Sequence, residues 1–302
     1  MAISLCMGLH ATHMFVPPTP GPLAVAGILS ADLGQVILFG ALVSIPVTLV
    51  AYLASLYAGK KYYYLPTSVE DTPENQNLPS AMMSFLPILV PIALMLLKTV
   101  GSMCKLTGTP ALILNIVGTP AVALLIGLLI AAVGYHNIYP EDTKAWGFDG
   151  VIADAMKTAG QIVLIVGAGG AFSGVLKASP LRDILTASMS GVSIGILAPF
   201  LIGFLFRTCV GSATIAMVTA ATMITPLIDV LGFGSPMGRI IAMLACAAGG
   251  MMVFHGNDDF FWVTATTSDM DTSIAYKTLP IISVLQSMTA LVTVFLLSMV
   301  LL

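Results

Sequence analysis

THMFVPPTPGP, residues 12–22, interrupts apolar sequence that is otherwise typical of a membrane helix. Proline lacks the amide hydrogen that a helix interior needs, and its ring clashes with the preceding turn, so a regular helix cannot continue through this stretch. Inside a bilayer, open backbone is tolerated only where protein or a water-filled cavity surrounds it. Interruptions of this kind are typical of the binding sites of membrane transporters. The alternative is a short loop outside the membrane.

The composition of the chain indicates that a bilayer surrounds it. Of its 302 residues, 58% are apolar and only 8% are charged, and the mean hydropathy is +1.01. Soluble domains carry about 25% charged residues. We therefore predict an all-α, polytopic membrane protein in contact with lipid. The net charge is −3 and the longest basic run is Lys60-Lys61, so nothing points to a nucleic-acid partner.

Apolar runs and polar loops alternate along the chain in a pattern that predicts spans and half-spans. Spans of about 20 residues cross the hydrocarbon core, whereas shorter apolar runs fit broken helices. The predicted spans are 35–58, 80–98, 111–134, 237–254 and 279–302, and the predicted half-helices are 2–16 and 23–31. Polar loops are expected at 65–79 and 135–150. Asp154 and Lys157 are spaced to pair on a helix.

The two halves of the chain resemble each other. In both, an apolar run leads into a helix-breaking stretch, at 17–22 and again at 211–214. In each half there then follow a short apolar arm, a turn in which Asp precedes Gly by two or three residues (Asp32 and Gly34, Asp229 and Gly232), and a predicted span. Interrupted segments at corresponding positions indicate a transporter built from repeats. We expect one transporter domain over 1–302, with the second repeat at roughly 151–255, and expect the two interruptions to meet near the bilayer midplane.

Polar residues beside the two interruptions are candidate contacts for an anionic substrate. Helix ends expose free N–H groups whose partial positive charge attracts anions. Hydroxyl side chains beside such backbone, with glycines that let a ligand approach the main chain, favour a small anion that carries hydroxyl groups. The residues of this kind are Thr19, Gly21, Gly211, Ser212 and Thr214. Each hydroxyl also has a simpler interpretation, in which it satisfies a nearby backbone carbonyl.

Ionisable side chains in apolar surroundings are costly and are therefore candidates for function. Asp258 and Asp259 follow His255 at the end of an apolar run. We expect Asp258 or His255 to carry a coupled proton, and the alternative is a polar cap that faces water. No nucleophile accompanies them at a recognisable spacing and no HExxH motif occurs, so an intramembrane enzyme is the weaker hypothesis.

Arg207 and the early histidines are less clearly placed by the sequence. Arg207 directly precedes the second interruption. Its guanidinium either pairs with a substrate carboxylate or extends to the membrane interface, and we favour the second interpretation. Of the two histidines near the first interruption, His13 is better placed than His10.

Several motifs resemble those of the gluconate permease family, proton symporters of the ion transporter superfamily. They are Val16-Pro17-Pro18-Thr19-Pro20-Gly21-Pro22, Gly167-Ala168-Gly169-Gly170-Ala171-Phe172, Gly211-Ser212-Ala213-Thr214 and Asn257-Asp258 with Phe261-Trp262. Gly169, Gly170 and Asn257 thereby join the candidate substrate contacts. From its residues alone, the glycine cluster is either a close helix contact or the tip of a re-entrant hairpin.

The resemblance implies a multi-pass protein of the inner membrane that takes up gluconate or a related sugar acid with protons. It implies no cofactor beyond the proton gradient, and a homo-oligomer is compatible with it. Family members are longer, so the chain is expected to correspond to the C-terminal two-thirds of a member, with a truncated first repeat. Two alternatives remain at this point: a transport-inactive remnant, and a transporter for another small hydroxylated acid such as D-serine.

Overall fold

Helices account for all the regular structure that a computed structural model describes for residues 2–62, 79–104, 106–140, 147, 150–157, 159–160, 163–164, 167, 171 and 195–302. They are α1 (Ala2–Phe15), α2 (Pro20–Ile28), α3 (Leu33–Lys61), α4 (Ala81–Met103), α5 (Thr109–Val117), α6 (Pro120–Ile138), α7 (Leu197–Val210), α8 (Ala213–Ile224), α9 (Pro236–Gly250), α10 (Asp259–Thr267) and α11 (Thr272–Leu301). A 3₁₀ turn at Thr225–Leu227 extends α8, and residues 151–157 are also helical. The all-α prediction is confirmed.

Among the described residues, four helices are long and apolar enough to cross a membrane. They are Leu33–Lys61, Ala81–Ser102, Pro120–Ile138 and Thr272–Leu301. The predicted spans at 35–58, 80–98 and 279–302 are thus confirmed with slightly different bounds. The span predicted at 111–134 is divided between α5 and α6, because Gly118 and Thr119 separate the helices and Pro120 begins the second one.

The span predicted at 237–254 is wrong. Helix α9 ends at Gly250, and residues 251–258 are not helical. Two successive glycines weaken the helix at this point, and Val253 adopts a left-handed conformation with φ 53°. The Phe254 N–H finds its partner on α11 instead, where it donates to Ser283 Oγ at 2.9 Å. Residues 251–258 therefore form a third interruption, and Asn257 and Asp258 lie within it instead of following a full span.

The chain divides into two compact units. The larger contains Met1–Asp32, Val36–Val69 and Leu164–Leu302, and the smaller contains Leu33–Gln35 and Glu70–Val163. In the smaller unit α4, α5 and α6 pack together, and the expected pair of Lys157 Nζ with Asp154 Oδ1 is present at 3.0 Å on an exposed surface. The single domain and the repeat at 151–255 stay predictions, because 172–194 lie outside the described residues.

Helix α9 lies at the centre of the larger unit, where every residue from Ile240 to Gly250 is buried. It packs on α7, α8 and α11. Contact with α7 is backbone to backbone, since a side chain at Gly249 would overlap the Phe200 carbonyl. A helix buried all round forms the core of a protein. In this unit it is the support on which the interrupted helices are arranged.

Candidate functional site

The first interruption is short and its open carbonyls are satisfied locally. Helix α1 ends at Phe15, and α2 resumes at Pro20, where a first helical position needs no N–H. The Thr19 hydroxyl donates to the carbonyls of His13 at 2.9 Å and Val16 at 2.8 Å. In this arrangement Thr19 closes the end of α1, which is the simpler of its two interpretations.

The second interruption consists of Gly211 and Ser212. Gly211 ends α7 in the left-handed conformation, with φ 85°, which favours glycine. Ser212 begins α8, and its hydroxyl accepts from the Ile215 N–H at 3.5 Å. Thr214 is half-buried, and its hydroxyl makes no hydrogen bond within the described part of the chain.

The two interruptions lie side by side, as the repeat predicts. Helix α2 packs on α8, and a methyl group at Gly21 would lie 2.6 Å from Met217 Sδ and 3.7 Å from Thr214 Cα. Glycine at this position therefore permits the close approach of the two broken helices. The depth at which they meet in the bilayer stays a prediction.

The third interruption, residues 251–258, closes onto the second. A side chain at Gly211 would overlap the Asn257 carbonyl, so the two segments are in direct backbone contact. The Asn257 amide donates to the Thr208 carbonyl at 2.9 Å, and its side chain is otherwise exposed. Gly21, Gly211, Ser212, Thr214 and Asn257 consequently belong to one region of the larger unit.

A buried ion pair lies within this region. Arg207 is 0% exposed and Asp258 is 5% exposed. Arg207 Nη2 pairs with Asp258 Oδ2, and Arg207 Nη1 donates to the Gly211 carbonyl. The guanidinium also lies 5.4 Å from the centroid of the Phe254 ring. The prediction that Arg207 extends to the membrane interface is wrong, because its side chain is buried and paired inside the protein. The sequence did not reveal this pairing, because Asp258 follows 51 positions later and meets Arg207 only in the fold.

Asp258 has a second contact that fixes its position. Its Oδ1 accepts from the Phe260 N–H at 2.7 Å and so caps the first turn of α10. One carboxylate oxygen therefore serves the helix and the other serves Arg207. Breaking such a buried pair by removing one partner strands the remaining charge in a poorly solvated place.

Two imidazoles of α1 face this pair. His10 is 3% exposed, its ring lies tilted against the Phe254 ring at a centroid distance of 5.2 Å, and its Nε2 has no hydrogen-bond partner in the described part of the chain. His13 is half-buried and within electrostatic range of both Arg207 and Asp258. Sequence reasoning preferred His13, whereas the more deeply enclosed imidazole is that of His10. Its position on a buried helix face, shortly before the first interruption, was the available signal.

The remaining predicted site residues are less informative. His255 is half-buried, its carbonyl accepts from the Asp258 N–H at 2.9 Å, and its side chain has no hydrogen bond or ion pair within the described ranges. Gly169 and Gly170 lie outside the described residues. The substrate and proton roles assigned to all these residues stay predictions.

Paired, interrupted helices around a buried cation and carboxylate define a multi-pass α-helical membrane protein of the transporter type. The chain belongs to the GntP permease family, since residues 1–300 match the sequence model of this family. No solved structure gives a significant match to it. The family consists of permeases, which places the chain among transporters and removes the intramembrane enzyme hypothesis.

Relatives of known description share about a third of its residues. A gluconate permease of Pseudomonas aeruginosa is 33% identical over 100% of the chain and 68% of the relative. The D-serine transporter DsdX of Escherichia coli K12 is 32% identical, over 99% and 68%. The Gnt-II system L-idonate transporter of the same strain is 31% identical, over 87% and 60%. The chain thus spans about two thirds of the length of these relatives. All three relatives are bacterial, which is consistent with a location in the inner membrane.

Proposed function

We propose that the chain takes up gluconate or a related small hydroxylated acid together with protons. The observation that carries this proposal is the buried Arg207–Asp258 pair at the point where the three interruptions meet. Ionisable groups inside a membrane are costly and mark substrate paths or proton relays. Names of the relatives supply the substrate class, since gluconate, L-idonate and D-serine are all carboxylates that bear hydroxyl groups.

The site has polar groups suited to such a substrate. Thr214 offers a free hydroxyl and Asn257 an exposed amide, while Gly21 and Gly211 are buried and let the broken helices pack closely around these groups. We assign these four to substrate contact, with Gly169 and Gly170 joining them by resemblance. Thr19 and Ser212 hold the helix ends that face the ligand. Asp258 is the proposed proton-linked group, with His255 the alternative.

Uptake by purified protein in proteoliposomes tests this function. Labelled gluconate should accumulate under an imposed inward proton gradient and should not accumulate when a protonophore collapses that gradient. Unlabelled L-idonate and D-serine, added in turn as competitors, rank the three acids. Failure of all three to enter or to compete would contradict the proposal. Preferential competition by D-serine would move the assignment to that substrate.

A further inference from the structure

The Arg207 guanidinium is incompletely satisfied although it is fully buried. Its Nη1 donates to the Gly211 carbonyl and its Nη2 pairs with a single oxygen of Asp258. Nε is buried and has no hydrogen-bond partner among the residues that the structure describes. A guanidinium binds a carboxylate best through two parallel N–H groups, and Nε with Nη2 is one such edge. Asp258 leaves this edge half open, because its Oδ2 pairs with Nη2 while its Oδ1 accepts from the Phe260 N–H and makes no bond to Nε.

A second unsatisfied polar group shares the same surroundings. The His10 ring and the Arg207 guanidinium both contact Phe254, with centroid distances of 5.2 Å and 5.4 Å. His10 Nε2 is buried, and no described residue gives it a hydrogen-bond partner. Buried polar atoms in native proteins are nearly always hydrogen-bonded, and exceptions commonly mark functional sites or unseen ligands. Two such atoms, one on α1 and one on α7, point independently to a polar ligand at this place.

We propose that Arg207 binds the substrate carboxylate, and that this carboxylate and Asp258 exchange on the guanidinium. The inference rests on the proposed function and adds the group that recognises the acid. In the unloaded site the Asp258 carboxylate neutralises Arg207. When the substrate carboxylate pairs with the open edge of Arg207, Asp258 is released and takes a proton from water on its Oδ2. On the opposite side of the membrane the acid leaves, the proton returns to water, and the Arg207–Asp258 pair re-forms.

This exchange keeps the net charge of the buried site unchanged. A poorly solvated site tolerates a neutral pair but not an uncompensated charge. The unloaded site holds one cation and one carboxylate, and the loaded site holds one cation, one substrate carboxylate and a neutral carboxylic acid. Of the titratable groups in the described part of the chain, His10 and His13 on α1 lie within electrostatic range of the pair, and His255 lies three residues before Asp258 along the chain. Uptake of one proton with each monocarboxylate follows.

Variants at the pair test the anchor separately from its structural role. Arg207→Gln alone strands the Asp258 charge and can prevent folding, so the decisive variant is the neutral double substitution Arg207→Gln with Asp258→Asn. Gluconate affinity is measured by calorimetry on protein that elutes as a single peak in size-exclusion chromatography. Asp258→Asn should retain gluconate binding, while the double variant should bind it roughly 30-fold more weakly or worse. Arg239→Gln is the control, since Arg239 caps α2 through the Leu29 carbonyl at 2.8 Å, away from the pair.

Each result bears on a different statement. If wild-type protein neither binds nor takes up any of the three acids, the proposed function fails and the anchor with it. If wild-type protein binds gluconate and the folded double variant binds it equally well, the function stands and Arg207 is only a structural latch. The stoichiometry gives a second readout for gluconate, because one-to-one uptake of this monoanion with a proton is electroneutral. A potassium diffusion potential imposed without a pH gradient should therefore drive no uptake, and accumulation under that potential would overturn the exchange.

Discussion

Asp258 carries two contacts, and only one of them depends on its charge. Asparagine at this position keeps the helix cap at Phe260 but leaves the Arg207 cation without a counterion. We expect Asp258→Asn to lose gradient-driven uptake and to retain exchange of labelled for unlabelled gluconate in counterflow. A variant that still accumulates gluconate under a proton gradient would remove Asp258 from the coupling role.

The same variant should unfold more readily, and substrate should correct this. Loss of one partner of a buried pair costs about 3–5 kcal/mol, so the melting temperature in detergent should fall. Because gluconate restores the missing negative charge, it should raise the melting temperature of Asp258→Asn by more than that of the wild type. Equal shifts would show that the acid does not compensate Arg207.

Gly211 is constrained in two ways, by its φ of 85° and by the Asn257 carbonyl. Alanine there should destabilise the fold by about 1–2 kcal/mol for the left-handed conformation alone, with a further loss from the overlap. Gly232→Ala is a matched control, because Gly232 has φ 82° and open space beyond it. Thermal unfolding of both variants isolates the contact. If the two lose equal stability, the second and third interruptions do not pack as described.

Single residues show where sequence reasoning stops. Thr19, Gly21 and Gly211 could be found from the sequence because proline and glycine act on their own backbone neighbours. Arg207 and His10 could not be placed in this way. Their burial depends on Asp258 and Phe254, which lie far along the chain and reach them only through packing around α9.

Helix α11 positions the third interruption through its side chains. Ser283 Oγ accepts from the Phe254 N–H at 2.9 Å, and Ser287 Oγ donates to the Ala248 carbonyl at 2.8 Å. The first bond satisfies a backbone group beyond the end of α9, and the second satisfies a carbonyl in its last turn, where the Met252 N–H donates to Gly249 instead. Regular helices satisfy their own backbone, whereas open segments in a membrane protein need such partners.

Ser283→Ala should therefore weaken gluconate binding more than Ser287→Ala does. An unsatisfied buried N–H costs about 1–3 kcal/mol, and its loss should displace Phe254, on which Arg207 and His10 rest. Both variants should lose thermal stability, because each leaves a buried backbone group without its serine partner. We expect weaker gluconate affinity for Ser283→Ala alone, since Ser287 bonds to α9 and not to the segment that contains Phe254. Equal gluconate affinities of the two variants would contradict this function of α11.

At the level of elements, the sequence predicted which helices exist better than it predicted where they end. The half-helix before the first interruption ends at Phe15, one residue from its predicted end, because prolines terminate it locally. Helix α9 is shorter than predicted. The apolar residues 251–254 suggested a longer helix, but the helix ends before them, at Gly250. Apolar character shows that a segment is buried, but it does not show that its backbone stays helical when a distant serine offers an alternative hydrogen bond.

On the scale of the whole molecule, the site depends on two stretches about 190 residues apart being neighbours. Gly21 and Thr214 meet across α2 and α8, and the Cβ of a residue at position 21 would lie 3.7 Å from Thr214 Cα. Disulfides require Cβ atoms roughly 3.5–4.5 Å apart. The Cβ of residue 214 lies one bond beyond the Cα that is 3.7 Å away, so a small adjustment of the two helices and of the flexible Met217 side chain brings the two sulfurs within reach. The pair Gly21→Cys with Thr214→Cys should therefore cross-link under mild oxidation.

Background from native thiols is removed by replacing Cys6, Cys104, Cys209 and Cys246 with alanine or serine. A protease site engineered into the polar sequence at 65–79 converts the result into a gel assay, since a cross-linked chain stays joined after cleavage. Gly27→Cys with Thr214→Cys is the control, because Gly27 lies on the same helix with nothing within 4 Å of its Cβ position. Two results would contradict the contact between the two interruptions. One is a control variant that stays joined after protease cleavage, and the other is a test variant that separates into two fragments. If gluconate slows formation of the test disulfide but does not slow maleimide labelling of the Gly27→Cys variant, the bound acid lies between the two broken helices.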